Sequence, residues 1–279
     1  MMKDISKRIL LTDLNDNGIL RLTLNDPGNK NTLSLILMEK LVKAITEASK
    51  NNSIKVIVIA ATGDVFCSGH NLKEISEARN ADNKGESYYL ELFKKCSFLM
   101  QSITNCSKPV IAEVDGVATA AGCQLVASCD LAIASDTAKF ATPGVNIGLF
   151  CSTPMVALSR NVSQKNSMNM LLTGDMISAN EAKRISLIND CVPEDQLTKL
   201  VMDLAEKISK KSQAVLKIGK EAFYKQLQLN IEDAYEYTSI VMTKNMMIDD
   251  ASEGINAFLD KRNPKWKINS ERSLRLKEI

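Results

Sequence analysis

The chain has 279 residues, of which 45% are hydrophobic, 24% charged and 5% aromatic, with 35 lysines and arginines against 33 aspartates and glutamates. That length suits one large domain, or one domain with an appendage, and buries a core without staples; the composition excludes disorder and collagen. A formal charge of +2 with no long basic block leaves little to neutralise phosphates, so nucleic acid is not an expected partner; small molecules or copies of the chain are.

Residues 1–8 hold no apolar core of signal-peptide length, and no apolar run approaches the ~18 residues of a membrane span, so no membrane role and a cytoplasmic address are expected. Segments Ile9–Thr12 and Ile19–Leu24 flank Asn15-Asp16-Asn17-Gly18, a hairpin signal. After the turn-forming Asp26–Asn31, the spacing of Leu35, Met38, Leu41, Val42, Ile45 and Ala48 predicts an amphipathic helix over 33–48. Residues 55–60 read as a buried strand, 87–103 as a helix, 109–114 as a strand, 122–129 as a short helix and 131–134 as a strand. This alternation predicts an α/β fold with parallel pairing.

From Ser178 onward strands are expected to give way to helices over 179–185, 194–208, 214–227, 232–247 and 249–261. A soft boundary near residue 200 divides the chain into 1–200, an α/β core, and 201–279, a helical region rich in methionine and aromatics. Such a tail, with little core of its own, either packs on a partner or folds back on its own domain. The seven cysteines are an odd set without a CxxC pair, most of them in apolar runs, and read as reduced packing residues.

Two segments could carry chemistry. Gly63–Lys73 follows a buried strand, where α/β proteins place ligands, and its Cys67, Ser68 and Gly69 let a ligand approach the backbone. It also contains His70, the only histidine in the chain. Gly116–Gln124 is a run of small residues joining a strand to a helix, so it presents free amides at a positive helix end. One backbone donor from each segment could converge on a carbonyl oxygen as an oxyanion hole.

Phe66-Cys67-Ser68-Gly69-His70-Asn71-Leu72-Lys73, Lys108–Ala112 with Asp115-Gly116, Ala121-Gly122-Cys123-Gln124 and Ser128-Cys129-Asp130 together resemble the crotonase (enoyl-CoA hydratase/isomerase) superfamily. Phe140, Pro143, Gly148, Leu172-Thr173-Gly174 and Ala257-Phe258 with Lys261-Arg262 extend the similarity over roughly residues 8–267. The resemblance implies a crotonase (ClpP-like) spiral of ββα units, a helical C-terminal trimerisation region, and assembly as a trimer or hexamer. It implies an acyl-CoA thioester ligand of fatty-acid metabolism, with coenzyme A part of the substrate and neither metal nor separate cofactor. By position, the oxyanion donors would be the amides of His70 and Ala121, with Gly122 beside them. The loop of Cys67, Ser68, Gly69, Asn71, Leu72 and Lys73 and the turn of Asn29, Lys30 and Asn31 would hold adenosine and pantetheine, with Gly122 also binding substrate. Phe258 and Lys261 would reach a neighbouring subunit's ligand.

The chain departs from the family pattern at the two glutamates of the hydratases, where it has Gln124 and Gly144, neither able to exchange a proton near neutral pH. No carboxylate lies between Asp136 and Asp175 to take their place. Ordinary hydration is therefore not expected, although the thioester site survives. The alternatives are an enzyme of modified chemistry (an acyl-CoA decarboxylase using His70, an isomerase or a slow hydratase), a role for Cys151 as nucleophile or weak acid, and a non-catalytic acyl-CoA binder or regulator. An RNA-binding offshoot would show strong salt dependence, and the near-neutral charge disfavours it.

Overall fold

A computed structural model describes residues 8–266; the segments 1–7 and 267–279, which enter the expected address and the expected C-terminal region, lie outside the described residues. β1 (Leu10–Leu14) and β2 (Ile19–Leu24) form the expected antiparallel hairpin. β3 (Val56–Ala61), β4 (Val110–Val114), β6 (Leu131–Ser135) and β9 (Asp190–Val192) then add in parallel, and the six-stranded sheet runs β1-β2-β3-β4-β6-β9. A second sheet of three short strands, β5 (Val117–Thr119), β7 (Lys139–Ala141) and β8 (Ile177–Ser178), is ordered β5-β7-β8.

The central strands are buried on both faces, as the continuous apolar run of β3 demands. Ile57 and Ile59 point into the larger core with Val110, Ala112 and Val114, under α1 (Leu35–Lys50), α3 (Glu86–Thr104) and α4 (Ala121–Ser128). Val56, Val58, Ile111 and Ile133 point the other way, where α8 (Glu194–Ser209) lays Leu197, Val201 and Ala205 against them. The i, i+4, i+8 spacing of those three puts them on one stripe of α8, and burying a side chain the size of leucine contributes roughly 2 kcal/mol. Arg21 and Thr198 close this face by donating to Glu113 at 2.6 and 2.7 Å.

The chain repeats one unit. A strand of the main sheet is followed by a short stretch in the second sheet and then by a helix: β4, β5, α4, and likewise β6, β7 and the helices after it. β3 does the same in miniature, because Cys67 makes a one-residue parallel bridge to Ala118 of β5 before α2 (Leu72–Ala78) begins. This is the spiral of ββα units implied by the resemblance.

Two expectations are corrected. Strands do not disappear after Ser178, since β9 (Asp190–Val192) pairs with β6; a three-residue strand at a sheet edge is too short to show a period. Residues 67–73 are not all loop either: Asn71 caps α2 by accepting from the Lys73 amide at 3.0 Å, so Leu72 and Lys73 open a helix. Residue 200 falls inside α8, and the remaining helices divide between two roles. α9 (Gln213–Gln226) is tied to the core by Lys220, whose ammonium donates to Asp130 Oδ2 at 2.6 Å and to the carbonyls of Ile103 and Lys108 at 2.9 Å. α10 (Ile231–Met246) packs on α9 through Tyr237 and Val241, yet leaves Tyr235 and Met242 exposed.

Candidate functional site

The site forms where the loop after β3 meets the loop after β5. Cys67 joins them: its amide donates to Val117 O at 3.1 Å, and its carbonyl accepts from Thr119 N at 2.9 Å. Gly122 lies so close that a Cβ there would stand 2.0 Å from Cys67 O, and only glycine permits that approach. Gly69, at φ +93°, occupies backbone space few other residues adopt; a Cβ on it would meet Ala120 Cβ at 3.0 Å and Ala121 N at 3.3 Å. The peptides that carry the His70 and Ala121 amides are therefore neighbours.

Their orientation follows from planarity. In a trans peptide the C=O and the next N–H point in opposite directions. The Gly69 carbonyl accepts from Leu33 N at 2.8 Å, which aims the His70 N–H away from that turn. The Ala120 carbonyl accepts from Gln124 N at 3.0 Å inside the first turn of α4, which aims the Ala121 N–H out of the helix end. Ala120 itself sits at φ 50°, ψ −118°, a strained conformation held by its amide bond to Ala141 O at 2.9 Å. Among the described residues, neither the His70 nor the Ala121 amide donates to another group. Two preorganised, unspent donors side by side at a helix N-terminus suit an oxygen that gains negative charge.

The His70 ring is held by Nδ1 at 3.0 Å from Leu33 O and by an edge contact with Phe93. A carbonyl can only accept, so Nδ1 carries the hydrogen and the buried Nε2, which has no partner among the described residues, is the bare nitrogen. Burial pulls the imidazole pKa down, with the Leu33 bond and the Glu74 charge pulling back more weakly. This neutral ring is a poor proton donor.

The turn before α1 is coupled to the same loop, because Lys30 O accepts from both Ser68 N and Ser68 Oγ at 3.2 Å. Lys30 and Asn31 both adopt left-handed φ, 54° and 50°. Asn29 and Lys30 are exposed, whereas the Asn31 side chain faces inward: it accepts from Asp26 N and donates to Thr62 O and Val65 O. Asn31 thus latches the scaffold with its whole amide. Asn71 is similarly committed, capping α2 and donating to Glu74. Phe258 and Lys261 are exposed at the end of α11 (Asp249–Leu259), an element packed on α10.

Gln124, the fourth residue of α4, is buried, with Oε1 accepting from the Cys96 thiol at 3.7 Å. Gly144 is buried in the 3-10 turn Pro143–Ile147 that follows β7. Cys151 is buried against it, and burial outweighs the Gly144 amide bond to raise its thiol pKa. Burial also pushes the thiols of Cys67, Cys96 and Cys123 up to about 12, so the neighbourhood offers protonated sulfur and a neutral amide rather than a base. Among the described residues no group of three histidine, cysteine or acidic side chains could hold a metal ion, and no helix is long and apolar enough to cross a membrane.

Comparison with known proteins finds one family. The family profile described as enoyl-CoA hydratase/isomerase matches residues 15–269. The mouse protein named enoyl-CoA hydratase domain-containing protein 3, mitochondrial, is 49% identical over 249 residues, covering 89% of this chain and 81% of its own. The crystal structure of the human protein of the same name superposes with a TM-score of 0.88 at 48% identity, over 93% of this chain and 100% of that one. An enoyl-CoA hydratase from Mycobacterium smegmatis gives a TM-score of 0.88 at 44% identity, over 92% and 98% of the two chains.

Proposed function

Because the chain belongs to the enoyl-CoA hydratase/isomerase family, we propose that it binds an acyl-CoA thioester with the carbonyl oxygen between the backbone amides of His70 and Ala121. One observation carries this reading: two adjacent peptides are locked by their own carbonyls so that both N–H groups are left free. Charge that moves onto the thioester oxygen, as in an enolate, would be stabilised there by about 3 kcal/mol per donor.

Water addition by paired carboxylates is not the chemistry we assign. Gln124 cannot accept and return a proton, and Gly144 has no side chain. The decarboxylase alternative needs a proton for the enolate, and the neutral imidazole with hydrogen on the Leu33 side does not supply one from Nε2. Cys151, held as a thiol, is a weak nucleophile for the same reason. The reading best supported is an acyl-CoA-binding protein that polarises the thioester without an internal base, either for slow enolate chemistry or for binding alone.

Self-association as a trimer or hexamer belongs to the proposal, supported by the exposed Tyr235, Met242, Met247 and Phe258 of α10 and α11 and the turn between them. A neighbouring copy could then bring Phe258 and Lys261 to this site. The mitochondrial designation of the mouse relative supports that compartment over the cytoplasm expected from residues 1–8. The test is calorimetric titration with butyryl-CoA, crotonyl-CoA and malonyl-CoA, followed by mass spectrometry of each mixture. We expect binding of the thioesters and no hydration of crotonyl-CoA; absence of binding overturns the site, and rapid hydration overturns the assignment of its chemistry.

A further inference from the structure

We propose that Cys151 and the bend that carries it have taken the volume a carboxylate at position 144 would need, so that the second acid–base position of the acyl site is filled, not merely vacated. This inference rests on the acyl-CoA reading and deepens it, because it identifies what decides the reaction at that site.

The 3-10 turn Pro143–Ile147 ends at Gly148, whose φ of +75° reverses the chain. Residues 149–151 then fold back over Gly144, with Leu149 N donating to Gly144 O at 2.9 Å. A Cβ built on Gly144 would stand 2.8 Å from Leu149 O, 2.9 Å from Cys151 Sγ and 3.3 Å from Cys151 N. Two of those atoms are backbone, and the third is the sulfur of a buried side chain. Cys151 leads into α5 (Pro154–Asn161) through its carbonyl, which accepts from Met155 N at 2.9 Å, and α5 packs on α4. Cys123 of α4 and Cys151 are both buried in the larger core. Even a methyl group at 144 must therefore displace the bend.

The chemical consequence concerns the acyl group. Where the acyl reading puts a carboxylate, Gly144 is closed in by the Leu149 oxygen and the Cys151 sulfur instead. With no carboxylate between Asp136 and Asp175 to activate water toward a β-carbon, the site suits saturated and unsaturated acyl chains alike. Position 144 and position 151 act as one unit: replacing Gly144 by glutamate restores nothing while Cys151 stands in the way.

A double-mutant cycle tests this. Thermal midpoints are measured for the natural chain, Gly144→Ala, Cys151→Gly and the pair. We expect Gly144→Ala to lower the midpoint by ~5 °C in the natural background and by less beside Cys151→Gly, where only the Leu149 oxygen and the Cys151 amide nitrogen still meet the new methyl. Equal losses in the two backgrounds overturn the proposal. In a second arm, Gln124→Glu with Gly144→Glu is compared with the same chain carrying Cys151→Gly, using crotonyl-CoA. At least tenfold faster hydration by the triple variant is expected, and equal rates overturn the coupling. Titration of the natural chain with butyryl-CoA runs alongside; failure there defeats the acyl-CoA reading, while the thermal cycle still decides whether the position is filled.

Discussion

Gly122→Ala perturbs the junction of the two loops with little change elsewhere. The new methyl would lie 2.0 Å from Cys67 O, and a carbon–oxygen contact settles near 3.3 Å, so the loops must part by about 1.3 Å. The same Cys67 oxygen receives the Thr119 amide that ties the loops, so relief of the clash also weakens that bond. A separation of about 1 Å takes a 2.9 Å hydrogen bond to a ligand oxygen beyond useful range. Each neutral hydrogen bond is worth about 1 kcal/mol net, so losing one donor weakens binding ~5-fold and losing both ~30-fold. The assay compares butyryl-CoA with free coenzyme A by calorimetry, since only the former has the thioester carbonyl. The variant should lose most of the advantage of butyryl-CoA and leave free coenzyme A nearly unchanged, while overpacking lowers stability by about 1–3 kcal/mol. A folded Gly122→Ala chain that keeps the full advantage would refute the placement of the oxygen between the two amides.

Lys220→Ala strips Asp130 of its cation and leaves the Ile103 and Lys108 carbonyls without that donor, so a cost of about 3–5 kcal/mol is expected in urea unfolding; a loss under about 1 kcal/mol would show that the clasp on α9 contributes little. His70 gives a pH signature: burial lowers its folded pKa below the ordinary 6.5, so the unfolded chain takes up a proton first as pH falls, and stability drops between 6.5 and the lowered value. His70→Gln should flatten the fall of the thermal midpoint from pH 7.5 toward 5, and an unchanged slope would contradict the buried neutral ring. Six cysteines are buried and Cys191 is half-buried, so iodoacetamide at pH 8 should label one thiol per native chain rapidly; comparable labelling of a second would contradict the packing.

The elements legible in the sequence are those with a strong period. α1 shows its stripe from Leu35 to Ala48, and β3 its unbroken apolar run, and both stand within two residues of expectation. β5, β7, β8 and β9 span two or three residues each and exist only because a partner strand is already in place. α5 and α6 (Gln164–Thr173) mix polar and apolar residues without a clean stripe, because each packs over a narrow contact, and periodicity does not find them. At the site, His70, Ala121, Gln124 and Gly144 came from motif order. That Asn31 turns inward, and that Leu149 and Cys151 close over Gly144, did not: both depend on left-handed turns at Asn31 and Gly148 whose outcome is set by contacts distant in sequence.

Isotope-edited infrared difference spectroscopy of bound butyryl-CoA, labelled with carbon-13 at the thioester carbonyl, interrogates the central interaction at the atom concerned. The account expects the carbonyl stretch to move to lower frequency than in water-free reference solvent and in bound Gly122→Ala, as two donors draw electron density onto oxygen. A stretch that is the same in the natural chain and in Gly122→Ala, with the ligand saturating both, would contradict it.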